Sequence, residues 1–253
     1  MIFFITGGTG FLGSHFIKYA LEKKYTVYAI RRKGSKAKIK FDKQPKWIQG
    51  NLGDDFLSIL SKCDVLIHFA AHGVSPKKTN MKDAIKYNSI LSESLWSQCI
   101  KAGIKNYIII GSSQEYGKAA ERGSNISTLT RLKPLNEYGI SKVHAFKKAK
   151  ILFKNKEIKS TYLRIFNAYG EGQHKDSLWS TILNNKKTKK KVSIRCPLKK
   201  IDFISVENVV KKIEYYCKFK ENKFGKMFVK NIGSGKSISI ESFIKKYQKN
   251  NAK

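Results

Sequence analysis

The sequence predicts an α/β fold in which a doubly wound parallel sheet lies between two layers of helices. Short apolar runs alternate along the chain with stretches of helical spacing, and most of these runs are apolar at every position. Strands that are apolar on both faces are typical of a parallel sheet covered by helices on both sides. A chain of 253 residues, 41% of them hydrophobic, is long enough to bury the substantial core that such a fold needs.

The predicted elements follow this alternation from one end of the chain to the other. The predicted strands are 2–6, 25–30, 46–50, 64–71, 107–111, 160–166 and 226–233. The predicted helices are 11–24, 54–62, 80–102 and 137–153. We expect residues 1–168 to form the main domain, with its sheet completed by about 201–233. The less regular segments 169–200 and 234–253 should form a small, reduced C-terminal lobe at the carboxyl edge of the sheet, where such sheets bind ligands.

Composition excludes several classes of protein. No apolar run is long enough to cross a bilayer, and the N-terminus shows no secretion signal. The four cysteines are scattered, so we expect no disulfide framework, no metal site and a cytoplasmic location. The net charge of +33 could indicate nucleic-acid binding, but the lysines are spread over the whole chain. A solvated basic surface that attracts an anionic small substrate is the preferred interpretation, with no nucleic acid and no membrane as partner.

A glycine-rich turn joins the first strand to the first helix. Gly7, Gly10 and Gly13 stand in the sequence TGGTGFLG at residues 6–13. Glycines allow the backbone to turn tightly and to approach a pyrophosphate, which the helix N-terminus then stabilises. The strand before and the helix after supply the context that this motif requires, so the sequence predicts a Rossmann-type dinucleotide site.

The end of the second strand indicates which dinucleotide is bound. An NAD site would place Asp or Glu about 20 residues beyond the glycines, on the ribose hydroxyls. This chain has Arg31 and Arg32 there, although arginine is scarce in the sequence. Paired guanidinium groups can hold a 2′-phosphate, which a carboxylate would repel. We therefore expect NADP (NADPH), with NAD as the less favoured cofactor.

A tyrosine and a lysine four residues apart lie on a predicted helix. Tyr138 and Lys142 would lie one above the other, and a nearby ammonium would lower the pKa of the phenol so that it could pass a proton near neutral pH. The same spacing occurs at Tyr19–Lys23 and at Tyr216–Lys220, where no catalytic context surrounds it. Only Tyr138 follows a polar segment, GSSQEYG at 111–117, that comes directly after a buried strand.

Taken together, these motifs resemble the extended short-chain dehydrogenase/reductases, in particular the NAD-dependent epimerase/dehydratase family that acts on nucleotide sugars. The matching segments run in family order over nearly the whole chain. They are TGGTGFLG, VLIHFAA, GSSQEYG, PLNEYGISK, LRIFNAYGEGQ, DFISVENVV and NIGSGKSISI.

The resemblance implies roles for individual residues. Ser112 would hydrogen-bond the reacting oxygen of the sugar, Tyr138 would be the acid and base, and Lys142 would bind the nicotinamide ribose. Asn167 would contact the substrate diphosphate, and Ser113 and Gln114 would also bind the substrate. The implied cofactor contacts are Gly7, Thr9, Gly10, Phe11, Leu12, Gly13, Arg31, Arg32, Asn51, Leu52, Phe69, Ala70, Ala71, Tyr138, Lys142 and Ile165.

Three activities of the family, those of a dehydratase, a ketoreductase and a 4-epimerase, can be compared by the residues that each requires. Dehydratases carry an acidic residue just after the serine, where this chain has Ser113 and Gln114, and Glu115 would point the other way on an extended segment. The remaining activities are a ketoreductase, which must exchange its cofactor, and a 4-epimerase, which gains from holding NAD tightly. Arg31 and Arg32 favour NADPH-dependent reduction of a 4-keto, 6-deoxy nucleotide sugar for surface polysaccharide biosynthesis. A non-catalytic basic Rossmann protein is the remote alternative.

The chain departs from the family pattern at several substrate and cofactor positions. Asn51 stands where relatives carry an aspartate, so an amide would meet the adenine. Ile201 replaces an arginine that often contacts the substrate phosphates, and Arg195, Lys199 or Lys200 could substitute for it. The resemblance also implies a homodimer. His68, His72 and His174 are assigned no catalytic role, because lone histidines near a sheet edge are more often packing or surface residues.

Overall fold

The computed structural model of the protein describes residues 1–74, 79–121, 126–188 and 194–249. Residues 189–193 and 250–253, which belong to the two segments of the predicted lobe, lie outside the described residues, and so does part of the basic run at 186–191.

A seven-stranded parallel sheet forms the centre of the molecule. Its strand order is β3-β2-β1-β4-β5-β6-β9. The strands are β1 Ile2–Thr6, β2 Thr26–Arg31, β3 Lys46–Gln49, β4 Val65–His68, β5 Asn106–Ser112, β6 Lys159–Ile165 and β9 Phe228–Ile232. The predicted α/β class is confirmed, and the predicted late strand joins the sheet beside β6.

Helices cover both faces of this sheet. Those in the described ranges are α1 Phe11–Glu22, α2 Leu57–Leu60, α3 Met81–Ile85, α4 Leu91–Lys101, α5 Lys118–Glu121, α6 Glu137–Phe153, α7 Leu178–Lys187, α8 Val206–Cys217 and α9 Ile240–Lys249. A π-helical turn, Lys86–Ile90, joins α3 to α4, and a 3₁₀ turn, Ser113–Tyr116, follows β5. In the described part of the chain, every helix is too short or too polar to cross a membrane.

The apolar residues of the strands divide into two cores. Phe3 and Ile5 pack with residues of α1 and α8 on one face, whereas Phe4 packs with residues of α4 and α6 on the other. Successive side chains of a strand point to opposite faces, so a continuous apolar run supplies both cores. This double burial explains why the strands could be read from the sequence.

A second sheet of three strands forms a small lobe. It contains β7 Asn167–Tyr169, β8 Lys200–Ser205 and β10 Ser237–Ser239. Its own core includes Ile182, Phe243 and Ile244, and the ring of Phe203 stacks on Phe243 at a centroid distance of 3.9 Å.

One detail of the predicted domain layout is corrected by this sheet. The range 201–233 was expected to complete the large sheet, but residues 200–205 pair with β7 and β10 instead. Buried and partly exposed residues alternate along β8, which suits a strand covered on one face only. Only β9 from that range enters the large sheet.

The parallel arrangement brings the carboxyl ends of the large sheet's strands to one edge. Thr6 pairs with His68, and Ser112 pairs with Ile165 at the last positions of their strands. Ligands bind at this edge in doubly wound sheets. The glycine turn, the segment after β4 and the GSSQEYG segment therefore face the same side of the molecule.

Candidate active site

The glycine turn depends on very close backbone contacts. Gly7 has a φ of +67°, and a Cβ added to it would lie 2.6 Å from the backbone nitrogen of Ala70. A Cβ on Gly13 would lie far inside contact distance of the Gly7 carbonyl oxygen. The Gly10 N–H donates to that same carbonyl oxygen at 2.9 Å. Any side chain at Gly7 or Gly13 would therefore force the turn open.

The turn fits the diphosphate of a dinucleotide. Gly10 is the N-cap of α1 and supplies no side chain to cap the first backbone N–H groups of the helix. Free N–H groups at a helix N-terminus, with the positive end of the helix dipole, bind phosphate. Thr9, Phe11 and Leu12 are partly exposed around the turn.

The other predicted cofactor contacts lie along the same sheet edge. Asn51 is exposed beyond β3, and its backbone N–H donates to Asp54. Leu52 packs against the apolar core on the α4 and α6 side. Phe69 packs against Phe16 on the other side, at a ring-centroid distance of 5.7 Å. Three further predicted contacts are the half-buried Ala70, the exposed Ala71 and the buried Ile165.

Two exposed arginines mark the end of β2. Arg31 is its last residue, and its guanidinium group lies 5.2 Å from the centroid of the Trp47 ring on β3. Arg32 follows and is also exposed. The stacking on Trp47 restricts the Arg31 side chain, while its donors remain available to an anion.

Ser112, Tyr138 and Lys142 come together beside the end of β5. Ser112 is the last residue of that strand, and its side chain lies close enough to the phenol of Tyr138 to lower the pKa of that phenol. Asn136 begins α6 by accepting a hydrogen bond from the Gly139 N–H at 2.8 Å, which places Tyr138 in the first turn. One turn later the Lys142 Nζ donates to the Ile110 carbonyl oxygen at 2.6 Å. Two elements thus hold the three side chains within one buried group.

The pKa of the tyrosine differs from the sequence prediction. Burial and the nearby Glu115 carboxylate raise the pKa of Tyr138, although the neighbouring Ser112 side chain acts in the opposite direction. Burial also lowers the pKa of Lys142 to about 8. The predicted lowering of the phenol pKa is therefore wrong: the ammonium donates to a backbone carbonyl, and desolvation dominates at Tyr138. The phenol keeps its proton at neutral pH.

A buried ion pair next to Ser112 was not predicted from the sequence. Glu115 and Arg164 are 0% and 1% exposed, and their Oε2 and Nε atoms lie 2.6 Å apart. The segment after Ser112 is a 3₁₀ turn rather than the extended chain assumed from the sequence. The expected orientation of Glu115 assumed that extended segment, and in the structure its carboxylate faces the interior and accepts from Arg164.

Asn88 is a second residue that sequence reasoning missed. It lies in the π-helical turn, and its amide nitrogen donates to Ser141 Oγ at 2.8 Å and to the His72 carbonyl oxygen at 2.9 Å. Ser141 Oγ in turn donates to the backbone carbonyl of Tyr138 at 2.7 Å. Asn88 therefore ties the loop after β4 to the helix that carries the tyrosine. A single asparagine in a polar helix gives no signal of this in the sequence.

His68 lies buried between the strand edge and α4. Its Nδ1 lies 2.9 Å from Thr6 Oγ1, and its Nε2 lies 2.9 Å from Ser92 Oγ. Burial, helped by the charge of Lys142, lowers the pKa of His68 to about 3, so the ring is neutral at physiological pH. These contacts make it a packing residue.

Three of the five predicted substrate residues are exposed, unlike the buried group. Ser113 is buried, and the half-buried Gln114 accepts a hydrogen bond from Asn136 at 2.9 Å. Asn167 begins β7 and is exposed. Arg195 and Lys200 are exposed on the segment that enters β8. The structure thus joins Gln114 to the start of α6 and leaves the three lobe residues on the surface.

Comparisons with known proteins decide the family. The sequence profile described as NAD dependent epimerase/dehydratase family matches residues 3–233. The chain belongs to this family. The resemblance predicted from the sequence is confirmed at that level.

Individual relatives agree with this assignment. The chain is 30% identical to a UDP-glucose 4-epimerase of Lactobacillus helveticus over 66% of its own length and 51% of the relative. It therefore spans about half of that relative. A UDP-glucuronic acid 4-epimerase from Bacillus cereus, solved with UDP-glucuronic acid and NAD, shares the fold with a TM-score of 0.81 at 24% identity, covering 97% of this chain and 82% of the other.

A second solved structure shares the same fold. It is a UDP-N-acetylglucosamine 4-epimerase from Methanobrevibacter ruminantium M1 in complex with UDP-N-acetylmuramic acid. Its TM-score is 0.84 at 22% identity, with 96% of this chain and 79% of that chain covered.

Proposed function

We propose that the chain is a nicotinamide-dependent oxidoreductase that acts on the hexose of a nucleotide-diphosphate sugar. The observation that carries this proposal is the buried group in which the side chain of Ser112 lies beside the phenol of Tyr138, with Lys142 one turn further along α6. The glycine turn on the same sheet edge fits a dinucleotide. Family membership supports the substrate class.

The roles of the residues follow from their chemistry. A bound nicotinamide dinucleotide supplies the hydride chemistry. The hydroxyl groups of Ser112 and Tyr138 would both hydrogen-bond one sugar oxygen, which is a carbonyl in one state and a hydroxyl in the other. The proton at the Tyr138 hydroxyl would pass to that oxygen as the carbonyl becomes a hydroxyl. Lys142 would hold the nicotinamide ribose, Asn167 the substrate diphosphate, and the small lobe would bind the sugar nucleotide.

NADPH-dependent reduction of a 4-keto, 6-deoxy sugar, for surface polysaccharide biosynthesis, is the preferred activity. A tyrosine whose pKa is raised keeps its proton at neutral pH, and this is the form that donates to a keto oxygen. Arg31 and Arg32 offer guanidinium groups to a 2′-phosphate. Because Glu115 is engaged with Arg164, it supplies no acid for the elimination of water.

A 4-epimerase that uses NAD is the second candidate. The chain is similar to UDP-glucose 4-epimerases from several bacteria, and solved relatives of the same fold contain NAD. The arrangement of Ser112 and Tyr138 suits both activities, because an epimerase forms and then reduces the same 4-keto group. The two candidates differ in whether the cofactor is exchanged.

The test measures cofactor and substrate together. The purified chain is denatured and its bound nucleotide identified, and oxidation of added NADPH is followed with 4-keto-6-deoxy sugars carrying dTDP, CDP or GDP. The reductase should consume NADPH with at least one of them. Tightly bound NAD and interconversion of UDP-glucose and UDP-galactose without added cofactor would favour the epimerase. Dinucleotide binding without turnover in either assay would contradict the proposed function.

A homodimer is proposed on the resemblance and on the exposed apolar residues of α6. Ile140 and Ile151 lie about three turns apart, hence on the same side of the helix, and both are exposed. Ile90, in the π-helical turn before α4, is also exposed, and α4 packs beside α6 through the pair of Glu93 and Lys148. Light scattering should give twice the chain mass, and Ile151→Lys should halve it. An unchanged mass in the variant would contradict this interface.

A cytoplasmic location is proposed as well, because all four cysteines are free.

A further inference from the structure

The buried pair of Glu115 and Arg164 lies where the chain could have carried apolar residues. Glu115 is in the 3₁₀ turn after β5, and Arg164 is on β6 opposite Gly111, the residue before Ser112. Burying two charges is unfavourable, and apolar residues of similar volume often serve stability as well or better. A charge pair retained directly beneath the reacting side chains therefore calls for a role other than stability.

Each carboxylate oxygen of Glu115 has a defined partner. Oε2 accepts from Arg164 Nε at 2.6 Å. Oε1 accepts from the backbone N–H of Ser112 at 2.8 Å and from the hydroxyl of Tyr162 at 2.8 Å. The same Tyr162 hydroxyl lies 3.2 Å from the carbonyl oxygen of Lys142. Glu115 Oε1 thus contacts the backbone N–H of Ser112 directly. The Tyr162 hydroxyl links the same oxygen to the carbonyl oxygen of Lys142.

The residue before the serine is packed against the same oxygen. A Cβ added to Gly111 would lie 2.7 Å from Glu115 Oε1, so the strand end and the carboxylate touch without a gap. On the other side, the Arg164 guanidinium group donates from Nη1 to the Tyr116 hydroxyl at 3.0 Å, and Tyr116 donates to Asn231 at 2.7 Å. The Arg164 guanidinium group is therefore held by Glu115 on one side and by Tyr116 on the other.

We propose that Glu115 is a positioning residue, held by Arg164, that fixes the backbone of Ser112 so that the serine hydroxyl meets Tyr138. This inference rests on the proposed function and deepens it, because it assigns a role to a side chain that touches neither cofactor nor substrate. Arg164 compensates the buried charge, and Tyr162 extends the same constraint to the turn that carries Lys142.

The electrostatics of the site agree with this role. The Glu115 carboxylate raises the pKa of Tyr138 and also acts to raise the pKa of Lys142. The ionisable groups near the phenol are Glu115 and Tyr162. Arg164 is paired with Glu115, and His68 lies near Lys142. Among them Glu115 is the carboxylate, so it helps to keep the phenol protonated and the lysine charged.

The test compares two double variants that both remove the ion pair. Glu115→Gln with Arg164→Met keeps an amide oxygen that can accept from the Ser112 N–H, whereas Glu115→Leu with Arg164→Met does not. Neither leaves a buried charge without a partner, so both should fold, and the Leu version should unfold at a lower temperature because the Ser112 N–H and the Tyr162 hydroxyl lose their acceptor. We expect kcat to fall at least tenfold more in the Leu version than in the Gln version, with KM for the sugar changed less than threefold in both. Equal kcat values in the two folded variants would overturn the proposal.

A second, milder pair of variants tests the same positioning role if the double variants fail to fold. Tyr162→Phe removes one hydrogen bond to Glu115 Oε1, and Tyr116→Phe removes one hydrogen bond to Arg164 on the far side of the ion pair. Both tyrosines are fully buried, so the two changes should destabilise to a similar degree. We expect kcat to fall about fivefold or more in Tyr162→Phe and less than twofold in Tyr116→Phe. The opposite order, or equal losses, would overturn the proposal.

A structural readout separates this proposal from the proposed function. Crystal structures of Tyr162→Phe and Tyr116→Phe give the distance between Ser112 Oγ and the Tyr138 hydroxyl whether or not a substrate is known. The distance should increase clearly in Tyr162→Phe and stay unchanged in Tyr116→Phe. An unchanged distance in both would overturn the positioning role, even for a chain active on nucleotide sugars. An increased distance in a chain inactive on every sugar would keep the role and reject the proposed function.

Discussion

The polar site residues are buried at the edge of the large sheet and exposed on the small lobe. Ser112, Tyr138 and Lys142 are each less than a tenth exposed and are held by hydrogen bonds from two elements. Asn167, Arg195 and Lys200 are exposed on the lobe. A buried group has one geometry and can support one kind of chemistry, whereas exposed side chains can be exchanged at little cost in stability. We infer that the sheet edge determines the reaction and the lobe determines which sugar nucleotide is accepted.

Removing the buried phenol should have the largest effect. Tyr138→Phe should lower kcat by about 1000-fold, the middle of the range for general acid catalysis, while dinucleotide binding and thermal stability remain near those of the unmodified chain. Tyr19→Phe is the matched control, because Tyr19 also precedes a lysine by four residues. Steady-state kinetics on the substrate found in the panel would check this. A Tyr138→Phe variant that retained a tenth of the activity would refute the role of the phenol.

Opening the glycine turn should have the next largest effect. Gly13→Ala would push a methyl group into the Gly7 carbonyl oxygen, and we expect dinucleotide affinity to fall by about 100-fold, equivalent to about 3 kcal/mol. Gly53→Ala is the control, since a Cβ there would meet its nearest neighbour, Leu91, at an ordinary 3.4 Å. Titration calorimetry with NADP and NAD measures both. Equal affinities in the two variants would show that the turn does not bind the dinucleotide.

Burial of the lysine should reduce stability, and this can be measured separately from activity. The pKa of Lys142 falls from its ordinary 10.5 to about 8 on folding, so the unfolded chain binds the proton more readily. The folded state therefore loses stability as the pH falls from 10.5 to 8, and the full penalty is present at pH 7. Lys142→Met should raise the free energy of unfolding at pH 7 by about 2 kcal/mol, after allowance for the lost hydrogen bond to Ile110.

The pH dependence identifies the cause of that gain. The advantage of Lys142→Met in urea unfolding should shrink between pH 8 and 10.5, whereas Lys150→Met, an exposed change on the same helix, should stay within about 0.5 kcal/mol of the unmodified chain throughout. A Lys142→Met variant that is less stable at pH 7 would mean that the lysine supports the fold.

Changes on the lobe should have the smallest effects. Arg195→Ala and Lys200→Ala should each raise KM for the nucleotide sugar about threefold, the scale of an exposed charge contact, with kcat and melting temperature unchanged. Lys211→Ala, an exposed lysine on α8, is the control for general loss of positive charge. Initial rates at varied sugar concentration measure the effect. Equal changes in KM for all three variants would mean that the net charge, rather than a lobe site, attracts the substrate.

Local patterns in the sequence predicted the sheet and the buried group. The strands of the large sheet are apolar at successive positions, as in IFFIT at 2–6, because both of their faces are buried. The glycine spacing at 7–13 reflects contacts within one turn. Tyr138 and Lys142 are one helical turn apart. Each of these features depends on residues close together in the chain.

The features that could not be predicted from the sequence depend on contacts between residues that are far apart along the chain. Glu115 meets Arg164 only because β5 and β6 are neighbours, and nothing near either residue in the sequence indicates the pairing. The expected acidity of Tyr138 failed for the same reason, since burial and Glu115 outweigh the neighbouring lysine. β8 was not predicted as a separate strand, because a short run of mixed apolar and polar residues does not reveal its partners.

The most direct test of the account is a crystal structure of the chain with an oxidised dinucleotide and the hydroxy-sugar nucleotide. The account predicts the C4 hydroxyl oxygen of the sugar within about 3 Å of both Ser112 Oγ and the Tyr138 hydroxyl, with the diphosphate of the dinucleotide over the glycine turn. A sugar bound with every oxygen more than about 5 Å from these two hydroxyl groups would contradict it.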